Sequence, residues 1–543
     1  MEIQSYNALI EKSIIDHWDM DALTDYKGVT LQYHDVGRKI DKLHIMMEAA
    51  GIKGGDRIAV CGRNSAHWAV AFLATLTYGA VIVPILHEFN GEQIHNIVNH
   101  SESRLLFVGD YVVSTIDAGA MPHLEGIFNL PDFSLHTSRN EQLTHAREHL
   151  NELHGRKFPN AFRKDDIHWH KDSPDELCMI NYTSGTTGFS KGVMLPYRAL
   201  WGNVEFCQTH LGVHMPKFSN TLSILPMAHM YGMAIEFLFG FCNGCHLFFL
   251  NRLPSPTLIA KAFVDIRPNI VISVPLIIEK IIRKRVFPVM QTPRMKLLMA
   301  MPVVKDKVKQ MICKQVLDAF GGQAYEVIVG GAALSKEVEE FLISIGFPIT
   351  VGYGATECAP LITYRDWKEF APGSCGCAVD NMEVRIAHNG EILTRGTHVM
   401  LGYYKNEEAT SQAIDEDGWY HTGDLGTMDD QGNVYIRGRI KNMLLGANGQ
   451  NIYPEEIEDK LNSMPMVSEC IVVQRNQKLV ALVYPDQDEL MNFTSEELQS
   501  IMEQNRQQLN ALLPAYSRLS QILLHGEEFQ KTPKKSIKRY LYS

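Results

Sequence analysis

Short runs rich in β-branched residues recur through the first four-fifths of this chain, and many are separated by helical patterns. The runs are Arg57–Cys61, Val81–Ile85, Leu105–Val108, Thr221–Leu225, His246–Leu250, Ile270–Val274, Glu326–Val329 and Ile349–Val351. The helical patterns include Ala66–Thr77 and Lys336–Ile345. Apolar strands alternating with helices are typical of parallel sheets covered on both faces. The pattern therefore predicts an α/β fold whose ligands bind beyond the carboxyl ends of the strands.

The pattern changes from about Asn381 onwards. Short segments alternate there with tight turns at Asn389-Gly390, Asp417-Gly418 and Gln431-Gly432. The segments are Met382–Ile386, Glu391–Arg395 and Val434–Ile436. This arrangement predicts antiparallel strands of a small barrel or sandwich.

The last hundred residues predict a compact α+β unit. Its expected elements are a helix over Ile452–Leu461, a strand pair over Cys470–Val473 and Lys478–Tyr484, and a helix over Thr494–Leu513. Pro454 near the start of the first helix is favourable at a helix N-terminus. Thr494 followed by Glu497 has the spacing of a capping box at the second.

Charge and hydropathy exclude several classes of protein. The 543 residues include 51 lysines and arginines against 62 aspartates and glutamates, a net charge of −11, which argues against nucleic acid as a partner. The stretch 1–18 has no continuous apolar core, so we expect no secretory signal peptide. The longest uncharged run, Ala69–Leu86, contains Gly79 and Pro84 and is expected to be a helix and a buried strand rather than a membrane span. The expected compartment is the cytoplasm.

A loop rich in glycine and hydroxyl groups follows the apolar strand expected at Leu177–Ile180. It reads Tyr-Thr-Ser-Gly-Thr-Thr-Gly-Phe-Ser-Lys-Gly from residue 182 to residue 192. Glycines let backbone N–H groups approach an anion, and Lys191 adds a positive charge, so the loop predicts a polyphosphate site. A flexible linker is the alternative, but linkers seldom follow a buried strand and end in a lysine. A Walker-type loop is disfavoured, because it would need glycine in place of Ser190 and a hydroxyl residue in place of Gly192.

This loop resembles the phosphate loop of the adenylate-forming superfamily of acyl-CoA synthetases, peptide-synthetase adenylation domains and luciferases. Ser190 departs from the family pattern, which usually has proline at this position. The resemblance implies that ATP is bound by Thr183, Ser184, Gly185, Thr186, Thr187, Gly188 and Lys191. It further implies that Thr183 and Glu357 hold magnesium.

Two further segments resemble the walls of the family's acyl and adenine pockets. Leu-Pro-Met-Ala-His-Met-Tyr-Gly, which ends at residue 232, resembles the segment whose histidine, here His229, borders the acyl pocket. Taken alone, His229 would be interpreted as a structural histidine rather than a site residue. Gly-Gly-Ala-Ala-Leu from residue 330 resembles the shelf, here Gly331 and Ala332, that lies against adenine. Gly330 leaves space beside the pocket, which favours a longer acyl chain.

Two more segments resemble the family's nucleotide motifs. Gly-Tyr-Gly-Ala-Thr-Glu from residue 352 resembles the motif of Tyr353 and Gly354, in which the tyrosine stacks on adenine, Thr356 meets the α-phosphate and Glu357 binds magnesium. Taken alone, that glutamate could be a simple turn acid. Gly-Trp-Tyr-His-Thr-Gly-Asp ends at Asp424, which in the family accepts hydrogen bonds from both ribose hydroxyls.

The resemblance also implies the domain organisation. It predicts a large AMP-binding domain over residues 1–437, with two doubly wound αβ subdomains and a small β-barrel from about residue 381. A hinge is expected at 438–442, followed by a small, mobile C-terminal α+β lid over 443–543. Arg439 at the hinge is expected to reach the ribose. Lys441 is expected to be important for the mechanism, because the small domain rotates about this hinge.

The C-terminal segment Lys531–Arg539 resembles the family's lysine-bearing loop, with one departure. The position of the usual catalytic lysine holds Ser536, which has no charge. We expect Lys535, one residue away, to serve adenylation, with Lys538 as the second candidate. The alternative is that these basic residues form a solvated tail.

The implied activity is that of an AMP-forming acid–thiol ligase, closest to the long-chain fatty acid–CoA ligases. With ATP and magnesium it would activate a medium- or long-chain fatty acid and pass it to coenzyme A, using His229, Lys441 and Lys535 as catalytic residues. A carrier protein is the alternative acceptor, and a non-catalytic nucleotide sensor is the alternative function. Peripheral membrane contact is a further alternative, supported by the basic tail. Cys242 with Cys245, and Cys375 with Cys377, lack partners for a metal site and are expected to be buried, reduced thiols.

Overall fold

The computed structural model describes residues 5–183, 191–252, 255–445, 450–476, 478–487, 490, 493–531 and 537–542. The first strands are β1 Asp21–Asp25, β2 Thr30–Gln32, β3 Arg57–Cys61, β4 Val81–Ile85, β5 Leu105–Val108, β6 Gly126–Asn129, β7 Leu135–Ser138, β8 Leu177–Thr183, β9 Lys191–Pro196, β10 Asn220–Ser223 and β11 His246–Phe249. Then come β12 Ile270–Ser273, β13 Glu326–Val329, β14 Ile349–Val351, β15 Tyr353–Gly354, β16 Leu361–Tyr364, β17 Cys377–Ala378, β18 Met382–Ile386, β19 Glu391–Gly396, β20 Gly402–Tyr403, β21 Tyr420–Met428 and β22 Val434–Arg439. The last strands are β23 Leu444–Leu445, β24 Asn451–Ile452, β25 Val467–Arg475, β26 Lys478–Pro485 and β27 Leu519–Leu524.

The helices separate most of these strands. In the first half they are α1 Tyr6–Asp16, α2 Tyr33–Ala49, α3 Ala66–Tyr78, α4 Gly91–Ser101, α5 Asp110–Val113, α6 Glu141–Glu148, α7 Leu150–Lys157, α8 Tyr197–His210 and α9 Gly240–Cys242. In the second half they are α10 Pro256–Ile266, α11 Pro275–Ile281, α12 Phe287–Met290, α13 Pro293–Ala300, α14 Pro302–Ala319, α15 Lys336–Ser344, α16 Glu407–Ala413, α17 Pro454–Asn462 and α18 Ser495–Leu512. Two π-helical segments, Gly232–Phe239 and Ile282–Val286, adjoin α9 and α11.

The β-branched runs of the α/β part form strands of three sheets. The largest has eight strands in the order β20-β9-β8-β4-β3-β5-β6-β7, with parallel pairing from β8 to β6 and antiparallel strands at both edges. A four-stranded sheet, β10-β11-β1-β2, and a parallel three-stranded sheet, β12-β13-β14, complete this part. The predicted α/β character and the parallel strands are confirmed.

Helix α3 and strand β4 show how a long uncharged run folds inside the protein. Ser65 caps the helix by accepting a hydrogen bond from the Trp68 N–H, and Gly79 ends it with a φ of +80°. All but two residues of α3 are buried, and β4 is buried throughout. The run from residue 69 to 86 is therefore a helix and a strand, as predicted. Among the helices in the described part of the chain, none has both the length and the apolar character that crossing a membrane requires.

The segment from Met382 to Arg439 is antiparallel, as predicted. Its four strands follow the order β18-β19-β21-β22. The outer strands β18 and β22 each pair with one neighbour within this fully described segment, so the hydrogen-bonded ladder is an open sheet rather than a closed barrel.

The C-terminal part has its own apolar core. Strands β25, β26 and β27 form one sheet, and residues such as Leu461 and Leu509 from α17 and α18 pack against it. The capping box of Thr494 and Glu497 is present at α18, as predicted. Helix α17 begins at Pro454 rather than Ile452, because Ile452 pairs with Leu444 in a short ladder.

A buried carboxyl group at the start of β13 gives a prediction about pH. The side chain of Glu326 accepts hydrogen bonds from the Tyr364 hydroxyl at 2.5 Å and the Trp367 N–H at 2.8 Å, and burial raises its pKa to about 8. Between its ordinary range and pH 8 the folded protein binds a proton that the unfolded chain has released, so the free energy of unfolding falls as pH rises. Glu326→Gln should lessen this decline by about 1.4 kcal/mol per pH unit.

Denaturant titrations of the wild type and Glu326→Gln between about pH 5 and pH 8 measure this difference. Glu337→Gln is the matched control, because the Glu337 side chain is 54% exposed. Equal slopes for the wild type and Glu326→Gln would contradict the assignment of a neutral Glu326.

Candidate active site

A single cleft of about 3430 Å³ runs between the α/β part and the C-terminal part. Every described residue predicted to act on ATP, magnesium or the acyl group lines it. These residues are Thr183, Lys191, His229, Gly331, Ala332, Tyr353, Gly354, Thr356, Glu357, Asp424, Arg439 and Lys441. Ser184, Gly185, Thr186, Thr187, Gly188 and Lys535 lie outside the described residues. The sequence motifs, which span some 260 residues from 183 to 441, are thus brought to one place.

Asp424 on β21 is a buried, hydrogen-bonded acid of the cleft. Its carboxylate accepts a hydrogen bond from the Tyr353 hydroxyl at 2.7 Å and pairs with Arg439 Nε at 3.0 Å. Its side chain is 9% exposed, whereas that of Arg439 is 66% exposed. Burial raises the pKa of Asp424, and Arg439 and Tyr353 oppose this by stabilising the ionised form. The group is a fixed carboxylate that can accept hydrogen bonds from a diol in the cleft.

Glu357 and Lys191 meet at the ring of Tyr403. The Tyr403 hydroxyl donates to Glu357 Oε1 at 2.9 Å, and Lys191 Nζ lies 4.6 Å from the centre of the same ring. Strand β20 places Tyr403 there by pairing with β9 next to Lys191. Burial and the neighbouring carboxylate raise the pKa of Tyr403, so the phenol stays a donor at neutral pH.

The oxygen groups in this corner fit magnesium. The Glu357 carboxylate and the Thr183 hydroxyl both line the cleft, and they are hard oxygen donors of the type that Mg²⁺ prefers. Magnesium usually takes one or two carboxylates and completes its coordination with substrate phosphates and water. Thr183 and Glu357 would therefore suffice to hold the ion together with ATP.

The segment after β13 forms an exposed backbone shelf in the cleft. Gly331 has a φ of +83°, and a Cβ placed on it would meet no atom within 4 Å. Ala332 and Ala333 are exposed beside it. Small side chains and an open backbone let a planar group approach closely here.

The space beside Gly330 is already filled, which corrects the expectation that it leaves room for a longer acyl chain. A Cβ on Gly330 would lie 3.1 Å from the ring of Tyr231. That ring is 9% exposed, and its hydroxyl donates to the Ile328 carbonyl at 3.0 Å. The glycine makes room for Tyr231, whose ring is part of the cleft wall.

Two residues that the sequence analysis did not single out hold the segment before His229. Asn64 donates to the Leu225 carbonyl at 2.6 Å and accepts from the Met227 N–H at 2.9 Å. Glu236 accepts from the Leu225 N–H at 3.2 Å, and complete burial raises its pKa well above the ordinary range. Asn64 follows the carboxyl end of β3, the edge of the sheet where ligands are expected to bind. Its place near the site could therefore have been predicted from the sequence. Tyr403 had no such indication, because its contact with Glu357 depends on distant strand pairing.

The C-terminal part touches the α/β part close to the cleft. Arg283 donates to Ser335 Oγ at 2.8 Å and to Ser463 Oγ at 3.2 Å. Ser463 follows α17, and Ser335 precedes α15. Lys441 lies in a short 3₁₀ turn directly after β22 and is exposed in the cleft. The hinge and lid boundaries stay predictions.

The basic tail is not wholly solvated, contrary to the alternative considered from the sequence. Lys531 pairs with Glu469 and Glu528, each at 2.6 Å. Arg539 pairs with the buried Glu458. Lys538 is half-buried and lines the cleft.

The cysteine pairs carry no metal site in the described residues, where no group of three or more His, Cys, Asp and Glu side chains is placed to hold an ion. Cys242, Cys245 and Cys375 are free and buried, as predicted. Cys377 is half-buried, so the prediction of burial is wrong for it, and it accepts a hydrogen bond from Arg365 at 2.8 Å.

Known proteins resemble this chain over nearly all of its length. A sequence model described as AMP-binding enzyme matches residues 11–404, and one described as AMP-binding enzyme C-terminal domain matches residues 441–542. The long-chain-fatty-acid–CoA ligase FadD15 of Mycobacterium bovis is 28% identical over 449 residues, covering 78% of this chain and 72% of that protein.

Solved structures share the fold. The anthranilate CoA ligase AuaEII in complex with anthranoyl-AMP superposes with a TM-score of 0.79 at 18% identity, covering 100% of this chain and 97% of that one. ATP-bound MatB from Rhodopseudomonas palustris gives a TM-score of 0.75 at 21% identity, covering 99% and 98%. These likenesses confirm the predicted fold class. Since the first sequence match spans more than half of the residues, the chain belongs to the family of AMP-binding enzymes.

Proposed function

We propose that this protein is an ATP-dependent fatty acid–CoA ligase that works through an acyl-adenylate. The family and the similarity to acyl-CoA ligases support the coarser assignment, an ATP-dependent acyl-CoA ligase. The fatty acid as substrate is the finer part of the proposal. The observation that carries it is one cleft that combines the Asp424 carboxylate, the Lys191 side chain and a wall of apolar side chains.

In the first step a carboxylate oxygen of the acid attacks the α-phosphorus of ATP, and pyrophosphate leaves. The attacking carboxylate is ionised at neutral pH, so no general base is needed. The protein must instead position the reactants and offset charge on the phosphate oxygens. Lys191 would supply positive charge there, and Thr356 a hydroxyl. Magnesium, when bound, would neutralise further charge on the phosphates.

Asp424 and Tyr353 would fix the nucleoside. Asp424 would accept hydrogen bonds from the ribose hydroxyls, and Arg439 would lie beside them. Tyr353 contributes its ring to the cleft and its hydroxyl to Asp424, so that one side chain would stack on adenine and orient the ribose acceptor.

The apolar part of the cleft supports an aliphatic acid. Its wall includes apolar side chains from the segment after β10, from α10 and from α11, among them Leu225, Met230, Ile259, Phe263 and Ile277. His229 precedes Met230 of this wall in the sequence and lines the same cleft. Burying one methylene contributes about 0.8 kcal/mol, so a long chain would gain several kcal/mol from such a wall.

ATP–pyrophosphate exchange over saturated acids from butyrate to stearate tests the proposal. We expect exchange that depends on the acid and rises with chain length to an optimum in the medium or long range. Exchange with aromatic acids alone would contradict the fatty-acid assignment. Nucleotide binding without exchange for any acid would instead support a sensor.

The second step is expected to use coenzyme A. The thiol sulfur would attack the acyl carbonyl and AMP would leave, with Lys441 acting at the hinge as the C-terminal part turns. Competition between coenzyme A and a holo-carrier protein for the same acyl-adenylate tests this choice. Faster transfer to the carrier would make the carrier the acceptor.

Tyr231→Ala should shift selectivity towards longer acids. Removing the ring opens the wall beside Gly330, so the ratio of kcat/KM for a long acid over a short one should rise about tenfold, the usual scale for a change in an apolar pocket. The measurement is exchange with a pair of acids that differ in length. Tyr231→Phe, which keeps the ring and loses the bond to the Ile328 carbonyl, is the matched control and should change the ratio little.

A further inference from the structure

The helices that connect β12 to β13 carry a charge opposite to that of the rest of the protein. Residues 280–314 contain ten lysines and arginines and one aspartate, a net charge of +9. Since the whole chain has a net charge of −11, the remaining residues carry −20. Arg283 is paired with Glu337 at 3.0 Å, but Arg294 and Lys296 on α13 make no ion pair with any described residue. These charges are therefore available to a partner.

Large apolar side chains are exposed on the same helices. Val289 on α12 is 51% exposed, Leu297 on α13 is 66% exposed and Met301 before α14 is 46% exposed. Helix α13 has no fully buried residue, and its apolar residues Met295, Leu298 and Met299 are only partly buried against the core. We call the exposed side chains of residues 284–314 the basic face.

The basic face adjoins the mouth of the cleft. Lys284, Arg285 and Pro288, at its beginning, line the cleft together with Leu276 and Ile277 of α11. A molecule bound on this face would lie next to the apolar wall of the active site.

We propose that the basic face docks on an anionic lipid bilayer. Exposed apolar side chains beside lysines and arginines are the composition of helices that lie in the plane of a membrane interface. Each basic residue near an anionic leaflet strengthens binding about fivefold, and the face concentrates such residues in an otherwise acidic protein. Docking concerns binding alone and does not depend on the proposed function, although it would bring a bilayer-dissolved acid to the cleft.

Vesicle flotation tests the proposal with the full chain. We expect binding to phosphatidylcholine vesicles that contain about 30% phosphatidylglycerol, at least about tenfold tighter than to phosphatidylcholine alone. Raising the salt from about 0.05 M to about 0.5 M should weaken this binding about tenfold, because it screens the charges.

Two variants and their matched controls locate the contact. Arg294→Glu with Lys296→Glu should lower the partition coefficient at least about tenfold. Lys53→Glu with Lys217→Glu changes the net charge equally at exposed positions elsewhere and should change it less than about twofold. Leu297→Ser should lower binding about tenfold, whereas Leu512→Ser, at a 67% exposed leucine of α18, should not.

Equal effects of the variants and their controls would overturn the proposal, as would equal binding to both vesicle types. A dimer in sedimentation velocity that Arg294→Glu with Lys296→Glu dissociates would make the basic face an interface between copies instead. Exchange with a short, water-soluble acid should persist in all four variants. A wild type that binds vesicles but shows no exchange would refute the proposed function and leave the docking surface standing.

Discussion

Asp424→Asn is expected to lower kcat/KM for ATP about a hundredfold in ATP–pyrophosphate exchange. The substitution replaces a charged acceptor with a neutral amide, and hydrogen bonds to a charged group contribute about 1.5–3 kcal/mol each. Two such bonds to the ribose hydroxyls would account for the loss. Folding should persist, because the partner left behind, Arg439, has a side chain that is 66% exposed.

The ribose itself provides the sharpest control. For the wild type, 2′,3′-dideoxy-ATP should be as poor a substrate as ATP is for Asp424→Asn. Asp424→Asn should bind ATP and the dideoxy nucleotide almost equally well, because it lacks the carboxylate that accepts hydrogen bonds from the ribose hydroxyls. Asp430→Asn, at an exposed position between β21 and β22, should behave as the wild type. If Asp424→Asn still discriminated strongly against the dideoxy nucleotide, the ribose would be read elsewhere.

Tyr353→Phe separates the contribution of one hydrogen bond. It removes the hydroxyl that donates to Asp424 at 2.7 Å and leaves the Arg439 pair intact. We expect a loss of about tenfold in kcat/KM for ATP, the scale of one hydrogen bond to a charged group. Exchange at several pH values adds a second measurement. Without this donor the pKa of Asp424 should rise further, so activity should decline at a higher pH as the medium is acidified.

The strands of the α/β part were predictable because burial on both faces leaves an unbroken apolar run in the sequence. Arg57–Cys61 and Val81–Ile85 match β3 and β4 residue for residue. Thr221–Leu225 is shifted, since β10 covers Asn220–Ser223 and the chain then turns towards His229. The turn is fixed by Asn64 and Glu236 from other parts of the chain, which no local pattern shows.

The helices between β12 and β13 were not predicted, and the reason is physical. Helix α13 has no fully buried residue, and its apolar stripe consists of only three partly buried side chains, Met295, Leu298 and Met299. Lys296 and the exposed Leu297 lie between the residues of this stripe in the sequence, which leaves only a weak helical pattern. The same lack of burial makes this segment the candidate docking surface.

Side-chain contacts across the cleft were the least predictable part of the site. The motifs predicted residues that line the cleft, but Tyr403 reaches Glu357 only because β20 joins β9 at the edge of the eight-stranded sheet. Likewise Gly330 was expected to leave a space, whereas Tyr231, a hundred positions earlier, fills it. Volume in a pocket depends on such distant neighbours.

The described residues on either side of the segment expected to carry the adenylation lysine contact one another. A β-bridge joins Lys531 to Ile537, and the Lys538 N–H donates to the Gln530 carbonyl at 2.8 Å. Arg539, next to Lys538, forms an ion pair with the buried Glu458. Residues 532–536, which include Lys535, lie outside the described part of the chain.

We expect Lys535→Ala to lower the rate of ATP–pyrophosphate exchange by about 10²–10³-fold. A lysine that bridges the acid and the α-phosphate stabilises charge in the transition state, and removing one such donor costs on this scale. Transfer of a preformed acyl-adenylate to coenzyme A should change little, because that step no longer involves pyrophosphate. Lys534→Ala, one residue earlier with the same loss of charge, is the matched control and should leave exchange intact.

Moving the lysine by one position distinguishes a lost charge from a misfolded protein, because a second substitution cannot restore exchange in a protein that has not folded. In the Lys535→Ala background, Ser536→Lys places a lysine at the position that the family usually uses, and exchange should recover by at least about tenfold if charge in this loop is what matters. Lys538 lines the cleft and is the second candidate. Lys538→Ala is therefore measured in parallel. A loss confined to Lys538→Ala would transfer the role to that residue. Undiminished exchange in both single variants would show that adenylation proceeds without a lysine from this loop, and the charge on the α-phosphate would then have to be met by Lys191 and magnesium alone.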